Sequence, residues 1–121
     1  MPIKNILVVD DSPTDRQYLK DLLVKGGYAV TTAESAEQAL LQVKEQRPDL
    51  VLMDVVMPGL NGFQATRALS KDSSTKDIPV IIVSTKGQET DRVWGMRQGA
   101  RDYLVKPVSA ADLLAKISAL G

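Results

Sequence analysis

Three aspartates stand directly after two apolar runs of the chain. Asp10 and Asp11 follow residues 6–9 (ILVV). Asp54 follows residues 50–53 (LVLM). Continuous apolar runs are typical of buried parallel strands, so these carboxylates are expected at the rim of a sheet. If the two strands are neighbours, the three carboxylates repel one another unless a hard cation neutralises them, and oxygen-only ligation suits Mg²⁺. This acidic trio therefore predicts a magnesium site.

Ser84 and Lys106 follow two later strand-like runs and complement the acidic trio. An aspartate carboxylate can act as a nucleophile and form an acyl phosphate, which makes Asp54 a candidate phosphoryl acceptor. Mg²⁺ and the Lys106 ammonium would neutralise the charge of the incoming phosphoryl group, and the Ser84 hydroxyl would donate a hydrogen bond to it. These residue types predict phosphoryl transfer to aspartate, a reaction that needs no general base here.

The composition excludes several other classes of protein. The chain has no cysteine, which excludes a disulfide framework, a thiolate zinc site and cysteine nucleophilic chemistry. It has no histidine, which excludes imidazole acid–base catalysis and a Ser-His-Asp triad within the chain. Lysine plus arginine, 15, equals aspartate plus glutamate, 15, so no basic surplus favours binding to nucleic acid.

The hydrophobic pattern predicts about five strands that alternate with helices. Ser12 with Pro13 predicts the start of the first helix, and Ser35 with Gln38 predicts a capping box at the second. The predicted strands cover residues 3–9, 28–32, 50–53, 79–83 and 102–105, and the last two helices cover residues 88–98 and begin near residue 109.

This alternation predicts an α/β fold, a doubly wound five-stranded parallel sheet covered by helices on both faces. Ligands of such folds bind beyond the carboxyl ends of the strands, where the acidic trio, Ser84 and Lys106 all fall. At 121 residues, the chain is expected to form a single domain, residues 1–121, without an effector domain. No apolar stretch approaches the ~20 residues that cross a bilayer, and the start lacks a signal-peptide layout. A cytoplasmic protein is therefore expected.

Four segments form a specific combination that spans essentially the whole chain: VVDDS at 8–12, LMDVVMPGLNG at 52–62, IIVST at 81–85 and GARDYLVKP at 99–107. Together they resemble the receiver domain of bacterial two-component response regulators, the CheY-like superfamily. The resemblance implies a flavodoxin-like (βα)5 fold with strand order 2-1-3-4-5. It also implies a phosphoacceptor switch, not an enzyme, that assists its own phosphorylation and dephosphorylation.

The resemblance also implies roles for individual residues. Asp54 becomes the phosphoacceptor, and Asp10 and Asp11 organise Mg²⁺ together with Asp54 and the backbone carbonyl of Val56.

A second set of residues would read the phosphorylated state. Ser84 would be the switch hydroxyl, Lys106 would bind the phosphate, and Tyr103 would change rotamer on activation. Because proline disfavours the α conformation at the residue before it, Pro107 constrains Lys106. The resemblance implies a cis Lys106–Pro107 bond that aims the ammonium inward.

Two positions depart from the commonest receiver pattern: one keeps its hydroxyl but loses a methyl group, and the other narrows access to Asp54. Serine replaces threonine at Ser84, and Thr85 stands where alanine is common. Val56 and Lys86 flank the same site and would change how quickly water reaches the phosphoryl group. These positions are therefore expected to tune the lifetime of the phosphate.

A finer resemblance, to stand-alone regulators of type IV pilus twitching motility (the PilH type), covers residues 55–72 and 78–108. It implies a histidine kinase or its phosphotransfer domain as phosphodonor and a protein partner on the face of the fourth helix, fifth strand and fifth helix. The unphosphorylated protein is expected to be a monomer. Neither membrane insertion nor binding to nucleic acid is expected.

Other functions remain open on the sequence. A magnesium-dependent phosphatase with an aspartyl nucleophile would want an acid/base aspartate at position 56, which is Val56. A flavodoxin-like FMN binder would want a phosphate loop where the acidic DDSPTD segment, residues 10–15, stands. The pattern is also compatible with a receiver that never takes phosphate and with one that only drains phosphoryl groups from a shared kinase. Trp94 is either a core residue or an anchor for a partner, while Gly59 and Gly62 predict backbone turns.

Overall fold

The structure, a computed structural model, describes residues 2–120. Strands and helices alternate throughout: β1 Asn5–Val9, α1 Pro13–Lys25, β2 Ala29–Ala33, α2 Ala36–Glu45, β3 Leu50–Met53, α3 Gly62–Lys71, β4 Val80–Ser84, α4 Glu89–Arg97, β5 Asp102–Val105 and α5 Ala110–Leu120. The five strands form one parallel sheet in the order β2-β1-β3-β4-β5. The predicted fold class and strand order are confirmed.

The two faces of the sheet bury separate apolar clusters, since successive strand residues point to opposite sides. Ile6 and Val8 of β1 pack with α1 and α5, whereas Leu7 and Val9 pack with α2 and α3. Ile82 of β4 lies in a third cluster with Tyr103 of β5, and α4 packs against both residues at Gly95. Both faces are thus covered, as the continuous apolar strands predict.

Some element boundaries differ from the predicted ones. The strands β1, β2 and β4 end or begin one or two residues away from the predicted limits, because pairing and not apolarity decides where a strand ends. Ser84 is the last residue of β4, paired with Val105, and its carbonyl accepts the Lys106 N–H at 2.8 Å. The predicted capping box at α2 is only half formed. Ser35 Oγ accepts the Gln38 N–H, which is the expected first bond. The Gln38 side chain accepts from the N–H of residue 34 instead of from Ser35.

The strands that carry the acidic trio are neighbours at the centre of the sheet. Val9 is in register with Met53, and the Asp54 N–H donates to the Val9 carbonyl at 2.9 Å. The next residues after both strands therefore reach the same rim. Within residues 2–120, no helix combines the length and the apolar character needed to cross a bilayer.

Candidate functional site

The acidic trio converges at the carboxyl rim of β1 and β3. Each of Asp10, Asp11 and Asp54 offers a carboxylate oxygen within 4.8 Å of the others. Asp10 and Asp54 are buried and Asp11 is exposed, so the group is open to solvent on one side. Three convergent carboxylate oxygens form a hard donor set that fits a magnesium ion, which also retains water ligands. The residues that the sequence assigned to this site are thus brought together.

The anionic form of Asp54 is electrostatically disfavoured. Burial, followed by the repulsion of Asp10, raises the pKa of the Asp54 carboxyl to about 6, against the opposing effects of Lys106 and of a hydrogen bond from Val55. The Val55 N–H donates to Asp54 Oδ1 at 2.9 Å, whereas Oδ2 has no hydrogen-bond donor within residues 2–120. One carboxylate oxygen is therefore held by the backbone, and the other is available for a ligand or for bond formation.

Lys106 supplies the positive charge at this rim. Its Nζ donates to Asp10 Oδ2 at 2.7 Å and to Asp15 Oδ2 at 2.9 Å, and it lies 3.7 Å from Asp54 Oδ1. Burial acts to lower the pKa of the Lys106 ammonium, but these acidic partners outweigh it and the pKa is raised. The Lys106–Pro107 peptide bond is cis, as the resemblance implied.

Sequence reasoning missed Asp15 as part of this arrangement. An aspartate in the first turn of a helix is common, because it interacts favourably with the helix dipole. Nothing in the pattern distinguishes such a residue from one that binds a lysine 91 positions away.

Ser84 and Tyr103 are both buried and are linked through the loop between β4 and α4. The Lys86 N–H donates to Ser84 Oγ at 3.2 Å, and the Tyr103 hydroxyl donates to the Lys86 carbonyl at 2.5 Å. Arg92 of α4 donates to the Tyr103 carbonyl at 3.2 Å. The Tyr103 side chain therefore points inward, and its hydroxyl is bonded to Lys86, the same residue whose N–H donates to Ser84.

The three residues expected to control access, Val56, Thr85 and Lys86, are all exposed to solvent. The Val56 carbonyl accepts no backbone hydrogen bond within residues 2–120. It therefore remains available as the backbone ligand that the resemblance implies.

Gly62 has a stricter role than the predicted turn. It is buried at the start of α3, and a Cβ atom there would lie 1.9 Å from the Asp54 carbonyl oxygen. Only glycine permits this close approach, which brings α3 directly against the backbone of Asp54. Gly59, with φ of +76°, does serve a turn as predicted.

Trp94 is half exposed on α4, at 50%, so the core interpretation is wrong. Three further large apolar side chains are exposed on α4 and at the end of β5: Val93, Met96 and Val105. The next residue, Gly95, is buried against Ile82 and Tyr103, where a Cβ atom would lie 2.8 Å and 3.0 Å from their side chains. Gly95 thus allows α4 to approach the Tyr103 ring.

Comparisons with known proteins agree with this geometry. Residues 6–118 match the family model of the response regulator receiver domain. The chain is 58% identical over 115 residues to Protein PilH of Pseudomonas aeruginosa, covering 95% of each. It is 39% identical over 117 residues to the phosphate regulon transcriptional regulatory protein PhoB of Escherichia coli, covering 97% of this chain and 51% of that protein.

Solved structures show the same similarity. Chemotaxis protein CheY4 of Vibrio cholerae superposes with a TM-score of 0.91 at 31% identity, covering 98% of this chain and 99% of that one. A putative response regulator from Chloroflexus aurantiacus superposes with a TM-score of 0.93 at 31% identity, covering 99% of this chain and 98% of that one.

Proposed function

Because the chain belongs to the response regulator receiver domain family, we propose that it accepts a phosphoryl group on Asp54 and changes a partner-binding face in response. One observation carries the proposal: a buried carboxylate with a raised pKa lies between two further aspartates and a lysine ammonium. Such an arrangement concentrates negative charge that a bound cation can neutralise, and it places the Lys106 ammonium where it can pair with the phosphoryl group.

The acidic trio and the Val56 carbonyl would hold Mg²⁺. The fit rests on the oxygen-only donor set and on its convergence within 4.8 Å. When bound, the ion supplies positive charge that neutralises oxygens of the transferring phosphoryl group. Asp10 and Asp11 would bind this ion without reacting. Both carboxylate oxygens of Asp10 already accept a hydrogen bond, from the Ser12 N–H and from Lys106, whereas Asp54 Oδ2 accepts none within residues 2–120.

The phosphoryl donor would be a phosphohistidine of a sensor kinase or of its phosphotransfer domain. An oxygen of Asp54 forms a bond to phosphorus while the phosphorus–nitrogen bond breaks, and the electron pair of that bond returns to the imidazole. Lys106 then moves its ammonium onto a phosphoryl oxygen, and the Ser84 hydroxyl donates to another. Hydrolysis returns the protein to its unphosphorylated form: water attacks phosphorus, inorganic phosphate leaves and the Asp54 carboxylate is restored.

The output would pass from Ser84 to Tyr103 through the Lys86 segment. Ser84 Oγ and the Tyr103 hydroxyl bond the N–H and the carbonyl of the same residue, so a hydroxyl drawn toward phosphate shifts the segment that holds Tyr103. The face formed by α4, β5 and α5 carries exposed Trp94 and Val105, and a partner would bind there. A shift between two existing conformations would set its affinity.

Thr85, Val56 and Lys86 would set the lifetime of the phosphoryl group, since all three are exposed and follow Ser84 or Asp54 by one or two positions. A phosphatase activity gains no support, because Val56 cannot act as an acid or a base.

The similarity to PilH supports a role in type IV pilus motility or chemotaxis-like signalling. We infer that residues 1–121 form one receiver domain, which is cytoplasmic and monomeric when unphosphorylated.

Acetyl phosphate with Mg²⁺ tests this proposal, with incorporation followed by mass spectrometry of the intact protein. The wild type and Asp21→Asn should both incorporate one phosphoryl group, since Asp21 is an exposed aspartate of α1 whose carboxylate accepts from Gln17. Asp54→Asn should incorporate none, and chelation of Mg²⁺ should abolish incorporation by the wild type. Equal incorporation by Asp54→Asn would show that another residue is the acceptor.

A further inference from the structure

Asp15 binds the Lys106 ammonium without belonging to the acidic trio. The two side chains meet at 2.9 Å, close to the 2.7 Å contact between Lys106 and Asp10. Asp54 Oδ1 lies farther away, at 3.7 Å, beyond hydrogen-bond distance. The lysine is therefore held on the α1 side of the site, away from the proposed phosphoacceptor.

The position of Asp15 in its helix has a simpler explanation, which the hydrogen bonds do not support. As the third residue of α1, Asp15 stands where a capping-box carboxylate would accept the N–H of the N-cap residue, Ser12. The Ser12 N–H instead donates to Asp10 Oδ1 at 3.0 Å, and only the Asp15 backbone N–H contacts the cap, at Ser12 Oγ. The Asp15 carboxylate thus crosses to Lys106 and takes no part in capping.

Burial makes this contact energetically relevant but reversible. The Lys106 side chain is 14% exposed, so its ammonium has little water available as another partner. The Asp15 side chain is 44% exposed and gives up less hydration when it binds. An ammonium has three donor hydrogens, and Asp10 and Asp15 occupy two of them. A pair of this kind is strong enough to restrain the lysine and weak enough to break during a reaction.

We propose that Asp15 is a positioning residue that holds Lys106 on the α1 side of the site, so that the lysine must leave Asp15 before it pairs with a phosphoryl group on Asp54. This inference rests on the proposed function of Asp54 as phosphoacceptor. The Asp15 carboxylate lies outside the acidic trio and acts through Lys106. Its loss should free the lysine and accelerate phosphorylation.

The first test measures the initial rate of phosphorylation by acetyl phosphate at saturating Mg²⁺. Asp15→Asn should react faster than the wild type by about threefold to fivefold, the ratio expected when a partly exposed ion pair is broken. Asp21→Asn removes the same charge from an exposed position of the same helix and should leave the rate unchanged. Asp15→Ser, which also removes the carboxylate, should match Asp15→Asn when both variants fold, and Asp15→Glu should restore the slow rate.

A double-mutant cycle then asks whether Asp15 acts through Lys106. In a Lys106→Met background, Asp15→Asn should change the rate by less than the scatter of the measurement. Acceleration that persists without the lysine would overturn the proposal, as would equal effects of Asp15→Asn and Asp21→Asn.

A readout without any phosphodonor separates this inference from the proposed function. The ¹⁵N shift of Lys106 Nζ, assigned by its loss in Lys106→Met, should move in Asp15→Asn and stay in place in Asp21→Asn. An unmoved resonance in Asp15→Asn would overturn the inference even if Asp54 is phosphorylated. A moved resonance in a protein whose Asp54 never takes phosphate would instead contradict the proposed function.

Discussion

Asp49 and Asp54 bracket β3 and have opposite electrostatic properties. Asp49, just before the strand, accepts the backbone N–H groups of Asn5 and Lys4 at 2.9 Å each, and these bonds lower the pKa of its carboxyl. Asp54, just after the strand, is buried beside Asp10, and burial raises the pKa of its carboxyl to about 6. The same residue type is thus stabilised as an anion at one end of the strand and destabilised at the other.

The backbone explains much of this difference. Strands of a parallel sheet begin with free N–H groups at one rim and end with free carbonyl groups at the other, so the amino rim offers donors that an anion can use. At the carboxyl rim, Asp54 receives a single backbone N–H, from Val55. The rest of its charge must be balanced by Lys106 or by a ligand. An aspartate at the carboxyl rim is therefore suited to react, and one at the amino rim is suited to hold the fold together.

The largest expected loss of stability tests the packing of α3 against Asp54, at the carboxyl end of β3. Gly62→Ala places a Cβ atom 1.9 Å from the Asp54 carbonyl oxygen, and backbone atoms cannot move aside as a side chain can. We expect the free energy of unfolding to fall by about 3 kcal/mol or more, measured by urea denaturation.

Gly26→Ala provides the matched control for this substitution. Its Cβ atom would meet the flexible end of Leu114 at 2.8 Å, and the backbone at Gly26 is right-handed. Its loss of stability should stay below about 1 kcal/mol. A Gly62→Ala protein as stable as Gly26→Ala would mean that α3 does not press on Asp54.

The convergence of the acidic trio was predictable because it follows from two simple properties. Apolar runs identify buried strands, and parallel strands all end at one rim, so Asp10, Asp11 and Asp54 had to lie near one another once β1 and β3 were neighbours. The neighbouring position itself came from a resemblance and not from the pattern, since alternation of elements permits several strand orders.

The contacts of individual side chains were not predictable in the same way. Asp15 reaches Lys106 across the sequence, and no local spacing encodes that reach. The inward position of Tyr103 depends on the absence of a side chain at Gly95 and on the position of the Lys86 carbonyl, both set by tertiary packing. Ser84 belongs to β4 because it pairs with Val105 of β5. An apolar run in the sequence does not predict that pairing.

The second prediction tests the sign of the Asp54 effect. The pKa of its carboxyl in the folded protein, about 6, exceeds the ordinary value of 3.8, so the folded state binds the proton more tightly than the unfolded state does. The ionised carboxyl therefore lowers the free energy of unfolding by an amount that grows as pH rises from about 4 to 6. Above that range the loss has reached its full size. In Mg²⁺-free buffer at pH 7.5, Asp54→Asn should be more stable than the wild type by roughly 1–3 kcal/mol.

Denaturation at several pH values checks this prediction. The gain of Asp54→Asn over the wild type should shrink as pH falls from 6 toward 4, because the wild-type carboxyl then becomes neutral too. A variant that is less stable than the wild type at pH 7.5 without Mg²⁺ would mean that the Asp54 charge is well compensated by Lys106.

The smallest effect comes from the opposite end of β3 and should have the opposite sign. Asp49→Asn replaces a charged acceptor of two backbone hydrogen bonds with a neutral one that can still accept, so we expect a loss of about 1 kcal/mol at pH 7.5. Because the folded-state pKa of Asp49 lies below its ordinary value, its contribution is present above that value and is lost as pH falls through the folded pKa. The difference from the wild type should therefore also narrow in acid. Asp77→Asn, an exposed position, is the control and should change little. If Asp49→Asn and Asp54→Asn shifted the free energy of unfolding in the same direction at pH 7.5, the contrast between the two rims would be wrong.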